Sequence, residues 1–283
     1  MKKWIYSSLI ITSLFFTSCA NVKEAQQEPT TEKTEQSLQR SSTIPVREYS
    51  VQSVMWQQNA GEYRALCYQA FNLATYKLDE YLSALDENGK KPAIITDIDE
   101  TVMDNSPYNA KLIQKGVEYT PEEWYSWTRL AKADAVPGAV EFLQYAKSKG
   151  VEIFYVTNRH ISEEESTLKN MEVLNFPYAD KDHLFLMNET SSKDERFNKV
   201  RSEYEVLLYL GDNLGDFSAD FRVPNTEKRN KLVDSQRNEF GNRFIVLPNP
   251  MYGDWETRGI YEGKKGLNDK EKFQLRKKSL RPY

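Results

Sequence analysis

Five short apolar runs, each stopping at a polar residue and each separated from the next by helical signals, constrain this chain more than any other feature. Residues 93–96 (Ala-Ile-Ile-Thr) stop at Asp97 and residues 151–156 stop at Thr157, while 184–187, 206–210 and 244–247 complete the set. Runs this short, apolar on successive residues, read as strands buried on both faces. Between them, Thr120-Pro121-Glu122-Glu123 combines an N-cap, a proline at the first helical position and a capping-box glutamate, and the apolar spacing of 137–149 ends at Gly150. Ser162 with Glu165, and Ser192 with Glu195, repeat the capping-box spacing. Strands alternating with helices pair in parallel through right-handed crossovers, so the expected fold class is α/β: a three-layer, doubly wound, Rossmann-like parallel sheet. Leu66, Ala70, Leu73 and Leu78, at helical spacing within 55–85, predict one or two helices before the first strand.

In such a sheet, ligands bind beyond the carboxyl ends of the strands. The residues expected there are Asp97 and Asp99, then Thr157-Asn158-Arg159, then Lys193, then Asp212-Asn213 with Asp216. Carboxylates, a hydroxyl and an ammonium thus converge on one crevice. A carboxylate at a strand end can attack phosphorus and carry the phosphoryl group, which makes Asp97 the candidate nucleophile. Asp99 can protonate the departing alcohol, provided that its surroundings let it keep a proton. Acidic side chains so close together repel without a cation, and an oxygen-only ligand set with a phosphate substrate favours Mg²⁺. His160 and His183 are too few and too scattered for a zinc site and read as surface or packing residues. The formal net charge of −4, from 38 Lys+Arg against 42 Asp+Glu, provides no accumulated positive charge for a nucleic acid polymer.

The N-terminus carries a second set of signals. Lys2 and Lys3 precede an apolar run over 4–16, then Thr17-Ser18 and Cys19. This reads as a signal peptide over 1–18, and a cysteine directly after small residues resembles a bacterial lipobox, with lipidation expected at Cys19. From 20 to 45 only Ala20, Val22, Ala25, Leu38 and Ile44 are apolar, so residues 19–46 are expected to be the lipidated cysteine and a flexible tether to a membrane. Ala20 stands where an inner-membrane protein would carry aspartate, which favours an exported, outer-membrane lipoprotein. The other cysteine, Cys67, lies in the apolar-periodic stretch and is expected to be buried without a disulfide partner.

The order and spacing of the strand-end residues resemble the four motifs of the haloacid dehalogenase superfamily. Asp97-Ile98-Asp99-Glu100-Thr101 matches the first, Asp-x-Asp-x-Thr; Thr157 matches the second, Lys193 the third, and Gly211-Asp212-Asn213-Leu214-Gly215-Asp216 the fourth. With 15 Asp and 16 Thr in 283 residues, the first motif is expected by chance only about 0.04 times. Lys181 and Lys199 also lie near the third position, and the helix-opening Ser192-Lys193-Asp194-Glu195 favours Lys193. Four further segments narrow the resemblance. They are 99–108 (Asp-Glu-Thr-Val-Met-Asp-Asn-Ser-Pro-Tyr), 136–142, 155–159 and 247–253 (Leu-Pro-Asn-Pro-Met-Tyr-Gly), and they look like the class C acid phosphatases, the lipoprotein 5′-nucleotidase group.

That resemblance implies a Mg²⁺-dependent phosphomonoesterase acting on nucleoside 5′-monophosphates and related aromatic phosphates through an aspartyl-phosphate. It assigns the metal to Asp97, the Asp99 carbonyl and Asp212, with Asp216 acting through water, and the phosphoryl oxygens to Thr157, Asn158 and Lys193. Arg159 fits the second motif, either as a substrate contact or as a structural ion pair. Tyr119 and Tyr252 match positions that sandwich the substrate's ring, with Trp124 beside them in an aromatic cluster that includes Tyr125 and Trp127. The expected domain is 47–283, of which about 105–150 contributes a small, mainly helical cap. A dehalogenase is disfavoured because C–Cl cleavage needs no acid at Asp99. A non-catalytic surface lipoprotein, binding a ligand or host factor on a phosphatase scaffold, would be signalled by loss of Asp97 or Asp212, and both are present. A homodimer is compatible with the sequence, which marks no interface.

Overall fold

The computed structural model describes residues 47–86 and 88–283. The expected signal peptide, the lipidated Cys19 and the tether therefore lie outside the described residues. Two helices, α1 (Val51–Asn59) and α2 (Gly61–Ser83), precede the sheet. Five strands form it: β1 (Lys91–Thr96), β4 (Glu152–His160), β5 (Leu184–Met187), β6 (Tyr204–Gly211) and β7 (Phe244–Val246). They pair in the order β5-β4-β1-β6-β7, all in parallel. The order reverses at β1, so the topological switch falls beside the strand that ends at Asp97.

Successive strand residues enter different cores, as a period of two requires. Ile94, Ile153, Tyr155, Leu208 and Leu210 join Cys67, Phe71 and Leu78 of α2, Phe142 and Leu143 of α5 (Ala139–Ser148) and Met171 of α6 (Glu164–Val173). Their neighbours Ile95, Phe154, Val156 and Tyr209 join Phe197 and Val200 of α7 (Asp194–Glu203) on the other face, where Leu232 and Val233 of α8 (Thr226–Ser235) also pack. This is the three-layer α/β arrangement expected from runs apolar on both faces. Cys67 is fully buried and unbonded, and burial pushes its thiol up to about 11.

Between β1 and β4 the chain forms β2 (Met103–Asp104), α3 (Ser106–Lys115), α4 (Pro121–Thr128) and β3 (Asp134–Ala135), with β2 and β3 antiparallel. Helix α5, at the end of the expected 105–150 cap, packs its apolar face in the first core, because Phe142, Leu143 and Ala146 have the spacing of a buried helical stripe; Met103, Ala133 and Val136 join the same core.

Two of the three capping expectations differ from the structure. Thr120 caps α4 by accepting the Glu123 N–H at 3.2 Å. Ser162 does not cap, because the capping residue before the short turn Ile161–Glu163 is His160, whose ring accepts the Ser162 N–H while Glu163 accepts the His160 N–H. At α7 the N-cap position belongs to Lys193, not Ser192, and no side chain caps the helix. A lysine there spends its side chain elsewhere, as the next section describes.

Candidate active site

Asp97 follows the last residue of β1, and its N–H donates to the Leu210 carbonyl at 2.9 Å, which locks the end of β1 to that of β6. Two residues beyond Leu210 stands Asp212. The chain then turns through Leu214–Asp216, where Asp216 Oδ2 accepts the Asn213 N–H at 2.9 Å and so aims the other oxygen inward. This return is tight: a Cβ on Gly211 would lie 2.3 Å from that of Asp216, so only glycine admits the aspartate there. Carboxylate oxygens of Asp97, Asp212 and Asp216 consequently lie within 4.8 Å of one another.

Lys193 reaches this cluster from the start of α7. Its ammonium is buried and donates to Asp97 Oδ1 at 2.5 Å and to Asp216 Oδ1 at 2.7 Å. Burial works against its charge, but Asp216 and Asp97 more than offset that and raise its pKa. Burial pushes the Asp97 carboxyl up to about 7; Lys193 opposes the rise, and Asp216 and Asp99 reinforce it. Asp212 lies well above the usual carboxylate range for the same first reason, with Asp216 and Asp97 adding repulsion. Its oxygens accept from Thr101 at 3.2 Å and Asn249 at 2.8 Å.

Asp99 stands on the opposite side of the Asp-x-Asp turn. Arg159 embraces it, with Nη2 at 2.7 Å and Nε at 3.0 Å from Oδ1 and Nε at 3.2 Å from Oδ2, while Asn105 donates to Oδ1 at 2.9 Å. Asn105 in turn accepts from the Trp127 indole at 2.8 Å. Between Asp99 and Thr101 sits Glu100, fully buried at φ 60, a strained conformation for a residue with a Cβ. Burial holds its carboxyl well above the usual range, and the Asn105 N–H donates to it at 2.8 Å.

Thr157, Asn158 and Arg159 lie within β4, not after it, because β4 resumes pairing with β5 at His160–Met187 beyond an irregularity that starts at Val156. Asn158 and Arg159 line the cavity above the carboxylates. The buried Thr157 hydroxyl accepts the Arg159 N–H at 3.1 Å. Arg196 braces the strand end by donating to the Thr157 carbonyl and, at 2.8 Å, to Asn158 Oδ1.

The cavity has a volume of about 320 Å³, and its floor is Asp97, Asp99, Asp212, Asp216 and Lys193. Its walls include Tyr119, Trp124 and Tyr252, so the structure brings all three expected aromatics to one opening. Trp124 meets Tyr108 edge-to-face at 5.1 Å, and the Arg159 guanidinium lies 5.7 Å from its ring centre. Tyr252 is set by Asn249, which accepts the Met251 and Tyr252 N–H groups while donating to Asp212. Tyr125 lies 6.5 Å from His160, outside the cavity lining.

Several residues of the site carried no signal in the sequence reading. Asn105 and Asn249 sit in segments that were recognisable, and Asn249, between two prolines in a turn, has the position of a side chain that organises its own loop. Tyr108 closes the 99–108 segment, whereas Arg47 and Asn109 belong to no motif, and all three line the cavity.

The residues present fit a divalent cation. Four carboxylates, Asp97, Asp99, Asp212 and Asp216, face two cations, Lys193 and Arg159, and one doubly charged ion would neutralise the difference. The donors are all oxygen, as a hard cation requires.

Comparison with known proteins agrees with this geometry. The sequence model of the HAD superfamily, subfamily IIIB (acid phosphatase), matches residues 12–255. Two crystal structures of the class C acid phosphatase from Bacillus anthracis, one of them with tungstate bound, superpose with TM-scores of 0.81 and 0.80 at 38% identity, covering 85% of this chain and 100% of that one. A curated relative, the stem 31 kDa glycoprotein of Glycine max, is 29% identical over 162 residues; the matched stretch is 55% of this chain and 57% of that protein. With a family match over most of its length and the motif carboxylates gathered at the strand ends, the chain belongs to the subfamily IIIB acid phosphatases of the HAD superfamily.

Proposed function

We propose that the chain is a Mg²⁺-dependent acid phosphatase that hydrolyses phosphomonoesters, chiefly nucleoside 5′-monophosphates and related aromatic phosphates, through a phosphoryl group carried on Asp97. The observation that carries this reading is the placement of the Asp97 carboxylate on a cavity floor, 2.5 Å from a buried ammonium and beside two further carboxylates. Asp97, the Asp99 carbonyl and Asp212 would hold Mg²⁺, with Asp216 acting through water. When bound, the ion supplies positive charge to the phosphoryl oxygens and keeps Asp97 ionised.

An oxygen of Asp97 attacks phosphorus in line, the ester P–O bond breaks, and the departing alkoxide takes a proton from Asp99. Oδ1 of Asp99 already accepts three contacts, whereas Oδ2 accepts one at 3.2 Å, so Oδ2 is the oxygen left to exchange a proton with the leaving group. A water then attacks the phosphoryl group, returns a proton to Asp99 and releases phosphate and the free Asp97 carboxylate. Lys193 and the Asn158 side chain neutralise and orient the phosphoryl oxygens, with the Thr157 turn behind them. The aromatic walls at Tyr119, Trp124 and Tyr252 stack on a flat leaving group, which accounts for breadth among nucleotides and aryl phosphates. Lipidation at Cys19 would hold this domain at the outer membrane.

Phosphate release from a nucleoside 5′-monophosphate, with Mg²⁺ or chelator and beside Asp97→Asn, tests the reading. The substitution is expected to lower turnover by about 10³-fold or more. Metal and substrate binding without turnover in the wild type would instead favour a binding protein on a phosphatase scaffold.

A further inference from the structure

Three cations line the cavity, and two of them are spoken for: Lys193 by Asp97 and Asp216, Arg159 by Asp99. Arg47 is the third. It precedes the short turn Glu48–Ser50 in a left-handed conformation, φ 65, and the turn closes back on it, since both the N–H and the hydroxyl of Ser50 donate to the Arg47 carbonyl. Its side chain is only 7% exposed. A guanidinium so buried, with five N–H donors, ordinarily finds a carboxylate.

Among the described residues, Arg47 has none within hydrogen-bond reach. Nη2 donates to the neutral Asn109 amide oxygen at 2.9 Å, and the nearest carboxylate, Glu118, stands 3.9 Å from Nη1 and accepts from the Tyr49 hydroxyl. Nε and the hydroxyl of Tyr108, both shut off from solvent, have no partner among the described residues. Arg47 and Tyr108 line the same cavity, whose wall here therefore carries a guanidinium with its charge only partly balanced.

We propose that Arg47, with Tyr108 beside it, reads the far end of the leaving group, so that the favoured phosphomonoester carries an acceptor oxygen there, a carboxylate ahead of a neutral carbonyl. The chemistry at the phosphoryl end rests on the function proposed above; the recognition at the far end rests on Arg47 alone. An aromatic wall accepts any flat ring, whereas a buried guanidinium rejects a ring that leaves it unpaired, because the unmet donors then bear the full desolvation penalty.

The test is equilibrium binding, by calorimetry with Mg²⁺ present, of benzylphosphonate and its 4-carbamoyl and 4-carboxy derivatives to the full-length chain. The wild type is expected to bind the carboxy compound on the order of 10-fold more tightly than the parent, with the carbamoyl compound between them. Arg47→Gln should bring all three within about twofold, while Arg47→Lys retains part of the preference for the carboxylate. Tyr108→Phe, which removes one hydroxyl and leaves the packing, should reduce the preference by a few-fold. Equal binding of all three by the wild type, or a preference that survives Arg47→Gln, overturns the proposal. Turnover of phenyl phosphate, measured in parallel, separates the two readings: preference without turnover leaves Arg47 its role and removes the catalytic one, and turnover without preference does the reverse.

Discussion

The floor and the walls of the cavity are built by different means. Every floor carboxylate is fixed by more than one bond to a strand end, a turn or a buried cation: Asp97 by the main chain of β6 and Lys193, Asp99 by Arg159 and Asn105, Asp212 by Thr101 and Asn249, Asp216 by Asn213 and Lys193. The walls are aromatic surfaces carried by the β1–β4 insertion and the loop after β7, and Tyr119 is 56% exposed. Positions that must be accurate to a fraction of an ångström stand on the sheet. Positions that need only present a flat face stand off the sheet, Tyr119 and Tyr252 on loops and Trp124 on α4.

The largest effect expected to sharpen this contrast comes from Lys193→Met. Two buried carboxylates would lose the ammonium that bonds both of them, so the metal-free protein should lose about 3 kcal/mol of stability in urea titration, as removal of one partner of a buried pair does. Added Mg²⁺ should restore part of it. A loss below about 0.5 kcal/mol, the scale of a surface substitution, would show that the floor is not held by this ammonium.

Next in size, Tyr119→Ala and Tyr252→Ala should each raise KM for aromatic phosphates by about 10-fold, the scale of one stacking contact. Glycerol phosphate hydrolysis should hardly change. Equal losses on both substrates would place these tyrosines in the floor's work and erase the distinction between floor and walls.

Stability against pH tests the floor by a separate route. Asp97 has a folded pKa of about 7 against an ordinary 3.8, and Asp212 and Glu100 are raised in the same direction by burial. A group of this kind binds more protons folded than unfolded between those values, so in chelator the stability contribution is present below about pH 4 and is lost as pH rises toward 7. Thermal melts across that window should fall with pH in chelator and flatten with Mg²⁺, which removes the repulsion among Asp97, Asp212 and Asp216. A flat profile in chelator would mean that these carboxyls titrate as if exposed.

The floor was also the more legible of the two in the sequence. An apolar run that stops at Asp97 or shortly before Asp212 locates a strand end, and a strand end in a parallel sheet locates a ligand. Where that logic slipped, the cause was backbone irregularity: β4 continues through Thr157-Asn158-Arg159 because pairing resumes beyond a break in register, which no apolar pattern encodes. The spacing Ser-x-x-Glu was right at neither Ser162 nor Ser192, because His160 took the first cap and Lys193 occupies the second. That α5 contributes its apolar face to the same core as β1 and β4 depends on contacts distant in sequence, which its own spacing does not name. Arg47 and Asn109 carry no sequence signal for the same reason, since the bond between them joins the N-terminal turn to α3 across a long stretch of chain.

The Asn105 amide has a mechanical consequence. Its oxygen is held by the indole of Trp127, on a helix of the insertion, and its nitrogen holds the carboxylate of Asp99. Two hydrogen bonds through one rigid, planar group make a short linkage between the insertion that carries aromatic walls and a carboxylate of the cavity floor. A tilt of that helix would reach the Asp99 carboxyl as a rotation, which ties movement of the walls to the orientation of that group.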